Sequence, residues 1–215
     1  MDFAQSSKRL VGKVSNRSEM LFDRTFFERE VTLVARELLG AYLHRRIDGV
    51  EFIGRIVETE AYHQNDAASH SFRGMTERNK IMFGKAGFAY VYFTYGMHYC
   101  ANVVTGKEGS ASAVLIRALE PAGGTKEMYS RRKRARCDRD LLSGPAKLCQ
   151  AFKITKEQNG TDLLMSHELF LTQGVVTKVE KVGVSSRVGI RVAMQKQWRY
   201  FIKDNPFVST GKPSE

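Results

Sequence analysis

Apolar residues recur at helical spacing from about 30 to 39, where Val31, Val34, Ala35, Leu38 and Leu39 fall on one face and Gly40 suits a left-handed C-terminal cap. This predicts a short amphipathic helix. From 41 to 62 the character turns to β, with Asp48-Gly49 as the turn signal between Ala41-Tyr42-Leu43 and Val50-Glu51-Phe52-Ile53. Phe88 to Tyr95 is aromatic and β-branched, Gly96 interrupts it, and 98–105 resumes it, which predicts a second hairpin with an exposed tip. Ala113 to Leu119 follows as an apolar strand. The pattern is helical and strongly basic between Gly123 and Arg139. Ser143-Gly144-Pro145 then opens a helix in which Leu148 and Phe152 share a face, because proline fits the first helical turn. Residues 169–202 return to short β stretches around Gly174, Gly183 and Gly189, with no solenoid repeat. The expected fold is α+β: a single mixed domain with a curved, largely antiparallel β-sheet, surrounding helices and a protruding β-hairpin.

At 215 residues and 42% hydrophobic, the chain can bury a substantial core in one domain. The expected division is a flexible basic arm over 1–20, a folded domain over 21–209 and a short tail over 210–215. Lys and Arg number 34 against 23 acidic residues, a formal charge of +11 that favours a polyanionic partner without choosing between nucleic acid, anionic lipid and acidic protein. Cys100, Cys137 and Cys149 form no C-x-x-C pair, and their odd number argues for a reducing, intracellular compartment rather than a disulfide framework. Residues 1–20 lack the apolar core of a signal peptide, and no later run approaches about 20 apolar residues, so neither secretion nor membrane insertion is expected. Asn16-Arg17-Ser18 and Asn159-Gly160-Thr161 match the glycosylation sequon but would need that secretory route, and are read as chance. The five histidines are scattered without zinc-site or iron–sulfur spacing, and there is no phosphate-binding G-x-x-x-x-G-K-[ST] loop, so no metal and no cofactor are expected.

The most informative stretch is Arg55-Ile56-Val57-Glu58-Thr59-Glu60-Ala61-Tyr62. Alternation along a strand would put Ile56, Glu58, Glu60 and Tyr62 on one face, with i and i+2 about 6.5–7 Å apart. A planar ring stacked on Tyr62 could then hold an attached sugar within a water's reach of Glu60. The same pattern also describes a solvated strand face whose acids pair with the excess Lys and Arg, and the stretch alone does not separate the two.

Further motifs separate them. Gly54-Arg55-Ile56-Val57-Glu58-Thr59-Glu60-Ala61-Tyr62 resembles the catalytic strand of the alkyladenine (3-methyladenine) DNA glycosylase family, and more matches follow in order. They are Asp66-Ala67-Ala68-Ser69-His70-Ser71, Arg78-Asn79, Tyr90-Val91-Tyr92, Tyr95-Gly96-Met97, Cys100-Ala101-Asn102, Leu115-Ile116-Arg117-Ala118-Leu119-Glu120-Pro121, Ser143-Gly144-Pro145-Ala146-Lys147-Leu148-Cys149-Gln150 and Arg187-Val188-Gly189. The resemblance covers about residues 20 to 209. It implies a monofunctional enzyme that flips alkylated or deaminated purines (3-methyladenine, hypoxanthine, ethenoadenine) out of double-stranded DNA and hydrolyses the N-glycosidic bond, leaving an abasic site. Glu60 becomes the general base, with Arg117 and the backbone carbonyl of Val188 positioning the water, while Glu58 is structural. The extruded base would stack between Tyr62 and the pair His70 and Tyr92, with backbone groups near Ala68 and His70 reading its edge. Asn102 would crowd the exocyclic amine of guanine. The family varies in length and composition over the linker between Tyr62 and His70, here seven residues. A monomer associated with DNA in a nucleus or nucleoid follows from the same resemblance.

Of the hairpin aromatics most read as core, but Tyr95 precedes Gly96 at the tip, and the resemblance implies that it enters the duplex and fills the vacated space, with Met97 packing beside it. The run Arg131-Arg132-Lys133-Arg134-Ala135-Arg136 reads equally as a phosphate contact or as a solvated loop or import signal. Lys147 is the nearest candidate for the amine nucleophile of a bifunctional enzyme, a role the resemblance does not supply. A catalytically silent module for bent DNA, or an RNA-binding platform, would need neither Glu60 nor Arg117.

Overall fold

The computed structural model describes residues 21–211; the expected basic arm over 1–20 and residues 212–215 of the expected tail lie outside the described residues. Two long strands organise the molecule. β2 (Val50–His63) pairs antiparallel with β5 (Ser112–Gly123) over nearly its whole length. Its other edge is shared. β1 (Tyr42–Ile47) covers it as far as Arg55, and β8 (Arg199–Ile202) takes over opposite Glu58–Glu60. β3 (Ala89–Thr94) and β4 (His98–Val104) extend the sheet beyond β5, β6 (Leu169–Thr172) extends it beyond β1, and β7 (Val182–Ser185) pairs with β8. All pairings are antiparallel, and the sheet curls into a half-barrel with helices packed on it, as the α+β expectation required.

Local chemistry explains the elements. Asp48 and Gly49 both adopt positive φ, at 51° and 77°, the geometry a tight I′-type hairpin turn demands. The expected first helix is α2 (Val31–Glu37), capped by the Glu30 carboxylate, which accepts from the Thr32 and Leu33 amides, and followed by Gly40 at φ +96°. It buries Val31, Val34 and Ala35 against the sheet, and the Thr59 hydroxyl donates to the Ala35 carbonyl at 2.7 Å. The basic region forms α3 (Thr125–Arg131) and α4 (Asp138–Leu142), and Pro145 opens α5 (Pro145–Phe152), which buries Leu148 and Phe152. A short α1 (Arg24–Phe27) adds Phe27 to the same core. Burying side chains of this size contributes about 1.5–3 kcal/mol each.

One feature of the sheet differs from simple alternation. Between β2 and β5 the register slips three times, between Ile53 and Gly54 and, nearer the acids, between Ile56 and Glu58 and between Glu58 and Thr59. Leu119 and Ala118 stand opposite Ile56 and Glu58, so Val57 is supernumerary on β2; Ala118 and Ile116 stand opposite Glu58 and Thr59, so Arg117 is supernumerary on β5. Such bulges re-aim side chains. Ile56, expected beside the acids, lies instead in the apolar core, while Glu58 and Glu60 are gathered by Arg117.

Candidate active site

The bulged Arg117 reaches both strand acids. Its Nε lies 2.8 Å from Glu58 Oε1 and its Nη1 lies 3.3 Å from Glu60 Oε2. Both carboxylates are fully buried, which rules out the solvated strand face. Their surroundings differ in kind. Glu58 also accepts from Arg199 Nε at 2.7 Å, from the Ser209 amide at 2.7 Å and from the Ser209 hydroxyl at 2.9 Å. Burial alone would raise its pKa, but Arg117, Arg199 and the Ser209 amide outweigh burial and hold it below the ordinary value of 4.5. Glu60 takes donors of another sort: the Val188 amide at 2.7 Å on Oε1, and the Tyr62 hydroxyl at 2.8 Å beside Arg117 on Oε2. Burial, and then the Glu60 charge, push the Tyr62 phenol well above 10, so it stays a donor. Glu58 is thus locked to cations, whereas Glu60 is held by groups that themselves face a cavity.

That cavity has a volume of roughly 400 Å³, of the size that takes a small planar ligand. Tyr62, Ala68, His70, Tyr92, Tyr95, Asn102, Arg117 and Val188 all line it, so eight sequence-predicted residues converge, and Glu60 is bonded to three of them. Met97 is exposed on the hairpin and is outside the lining. Val188 donates its N–H to Glu60. His70 and Tyr92 meet edge to face, centroids 4.5 Å apart, and His70 Nδ1 is 2.9 Å from the Tyr90 hydroxyl. Burial, and then Arg78, hold His70 below its usual 6.5, which keeps the ring neutral at neutral pH. Burial pushes the Tyr90 phenol up to about 12. Asn102 Nδ2 donates to the Tyr90 carbonyl at 2.8 Å, which fixes the direction of its amide. Lys147 does not line the cavity and donates to Ser143 Oγ at 3.2 Å.

Two further residues of the sequence motifs support the cavity wall. Asn79, from Arg78-Asn79, donates to the carbonyls of His70 and Gly74 and accepts from the Thr76 amide, tying down the loop that carries His70. Arg187, from Arg187-Val188-Gly189, is wholly buried, pairs with Asp66, donates to the Ala61 carbonyl at 2.9 Å and sits 4.6 Å from the Tyr62 ring centre. Asp66 in turn accepts from the Ala68 amide at 3.2 Å. This one ion pair connects β2 between Glu60 and Tyr62, the loop bearing Ala68 and His70, and the segment bearing Val188. Arg199 and Ser209, which complete the Glu58 network, stand outside any chemical pattern readable along the chain.

At the hairpin tip Tyr95 is 82% exposed, with φ +50° followed by +67° at Gly96, and the Met97 amide donates back to the Thr94 carbonyl at 3.3 Å. A bulky residue in the left-handed region is strained, and such strain concentrates at functional positions.

An aromatic-walled cavity above a buried carboxylate, carried on a curled antiparallel sheet, defines an α+β protein able to hold a planar heterocycle against an acid. Known proteins make the class specific. Residues 25–206 match the family described as methylpurine-DNA glycosylase. A relative from Carboxydothermus hydrogenoformans is 50% identical over 190 residues, covering 88% of this chain and 99% of its own length. Others from Methanocella arvoryzae and Legionella pneumophila are 44% and 45% identical, covering 89% and 86% of this chain and 97% and 96% of their own lengths. All three are assigned the name 3-methyladenine DNA glycosylase. The chain belongs to the methylpurine-DNA glycosylase family.

Proposed function

We propose that this protein excises alkylated and deaminated purines, among them 3-methyladenine, hypoxanthine and ethenoadenine, from duplex DNA, acting as a monomer inside the cell. The observation that carries the reading is Glu60, buried beneath the cavity and bonded to Tyr62, Arg117 and Val188. The damaged nucleotide swings out of the stack, its base enters between Tyr62 and the His70–Tyr92 wall, and Tyr95 occupies the gap left behind. Glu60 takes a proton from a water held near Arg117, and the water oxygen bonds to C1′ as the C1′–N bond breaks. The electron pair leaves with the base. A cationic base departs neutral and Glu60 returns its proton to solvent; a neutral base takes up a proton from solvent water as it leaves. Glu60 also stabilises the positive charge that grows on the sugar.

Incubation with duplexes carrying one lesion, followed by alkali, should yield strand breaks at the lesion. Glu60→Gln should retain lesion binding and lower the single-turnover rate by at least about a hundredfold, the scale of a lost general base. A rate within tenfold of wild type removes Glu60 from that role. No excision by wild type on any lesion would favour a silent DNA-binding module.

A further inference from the structure

Both aromatic walls of the cavity are backed by a guanidinium. Arg187 lies 4.6 Å from the Tyr62 ring centre, and Arg78 lies 5.7 Å from that of Tyr92. The two cations are not equivalent. Arg187 is directly compensated by the buried Asp66 carboxylate, which Lys196 also approaches at 3.8 Å. Arg78 forms no ion pair among the described residues; its Nη2 donates to the Phe93 carbonyl at 3.1 Å. Tyr92 lines the cavity, and Arg78 is not among the lining residues.

A cation on one face of a phenol ring draws on the same electron density that would attract a second cation on the opposite face. We propose that Arg78 is a positioning residue that acts through Tyr92 as a charge filter, disfavouring purines with a fixed positive charge relative to neutral purines; this rests on the excision reading above. His70 does not offset the effect, because burial and then Arg78 keep it neutral. The filter also gives the Arg78-Asn79 motif a divided use, Asn79 holding the His70 loop and Arg78 setting the electrostatics of the wall it builds.

The test compares single-turnover excision of 3-methyladenine, cationic as the nucleotide, with that of hypoxanthine, which is neutral, by wild type, Arg78→Met and Arg78→Lys. Arg78 is exposed, so its replacement opens no core. Arg78→Met should raise the cationic-to-neutral ratio by about three- to tenfold, the size of one cation–π contact, and Arg78→Lys should stay near the wild-type ratio. Equal loss on both lesions with Arg78→Met would mark a phosphate contact only and overturn the proposal, as would a shift with Arg78→Lys as large as that with Arg78→Met. If Arg78→Met fails to fold by its unfolding transition, Arg78→Gln carries the same comparison. Wild type excising neither base overturns the excision reading and the filter together; wild type excising both with an unmoved variant ratio overturns the filter alone.

Discussion

Glu58 and Glu60 stand two residues apart on one strand, yet their partners divide the work between them. Glu58 has two arginines and two Ser209 donors and, among the described residues, no hydrogen bond to a cavity-lining group other than Arg117. Removing one member of a buried ionic network costs about 3–5 kcal/mol, because the remaining charges are left uncompensated. Glu58→Gln should therefore unfold at lower denaturant, by that amount, at pH 7. Because its folded pKa is depressed, the Glu58 contribution is present above the ordinary 4.5 and is lost as pH falls through the lower folded value. The gap between variant and wild type should thus narrow in acid, and a gap independent of pH would remove Glu58 from that linkage. Asn102 is a residue of the opposite sort, buried at the cavity with its amide aimed by the Tyr90 carbonyl. An obstructing polar group can reject guanine where apolar fit cannot. Asn102→Ser should raise single-turnover excision of mispaired guanine more than that of hypoxanthine; equal changes on matched duplexes would exclude it from specificity.

At the scale of elements, the β3–β4 hairpin pairs in unbroken register up to Thr94↔His98 and then turns through two left-handed residues. A glycine at the first of them would relieve the strain that tyrosine carries there, worth about 1–2 kcal/mol. Tyr95→Gly should accordingly be more stable than wild type to denaturant and at the same time hold a flipped base less well. Ethenoadenine fluorescence in the complex reads the second effect, and an unchanged signal would show that Tyr95 fills no gap. The double bulge between β2 and β5 has the complementary role. It turns Arg117 onto both acids, and without it strict alternation would have placed Ile56 beside them.

For the whole molecule, the charge of +11 is distributed unevenly in its uses. Arg131 donates to the Ala151 carbonyl at 3.0 Å and lies 4.3 Å from the Phe52 ring, and Arg132 donates to Gln150 at 2.5 Å, so half of the basic run's arginines are engaged with the protein itself. Phe52 is eight residues from Glu60 along β2, roughly 26 Å at strand rise. Arg191, by contrast, is exposed and lines the cavity. Arg191→Ala should reduce the slope of log affinity against log salt by about one, as loss of a phosphate contact does, while Arg134→Ala should leave it unchanged. The reverse result would place the DNA across the helical face instead.

Sequence by itself determined the periodic elements and the chemistry that is local to them. The Asp48-Gly49 turn, the α2 stripe, the Pro145 start and the aromatic hairpin are legible because period and turn chemistry act over a few residues. The motif resemblance added most of the cavity lining, including Tyr62, His70, Tyr92 and Asn102. What only tertiary structure decided depends on register and on distant partners. The bulge at Arg117 arises between strands some sixty positions apart, and no pattern within either strand marks it. The locking of Glu58 by Arg199 and Ser209 joins residues more than 140 positions apart. The Val188 amide meets Glu60 from 128 positions away, on a segment that the buried Arg187–Asp66 pair ties to the sheet, a placement made by desolvated charge and packing, not by the order of residues along the chain.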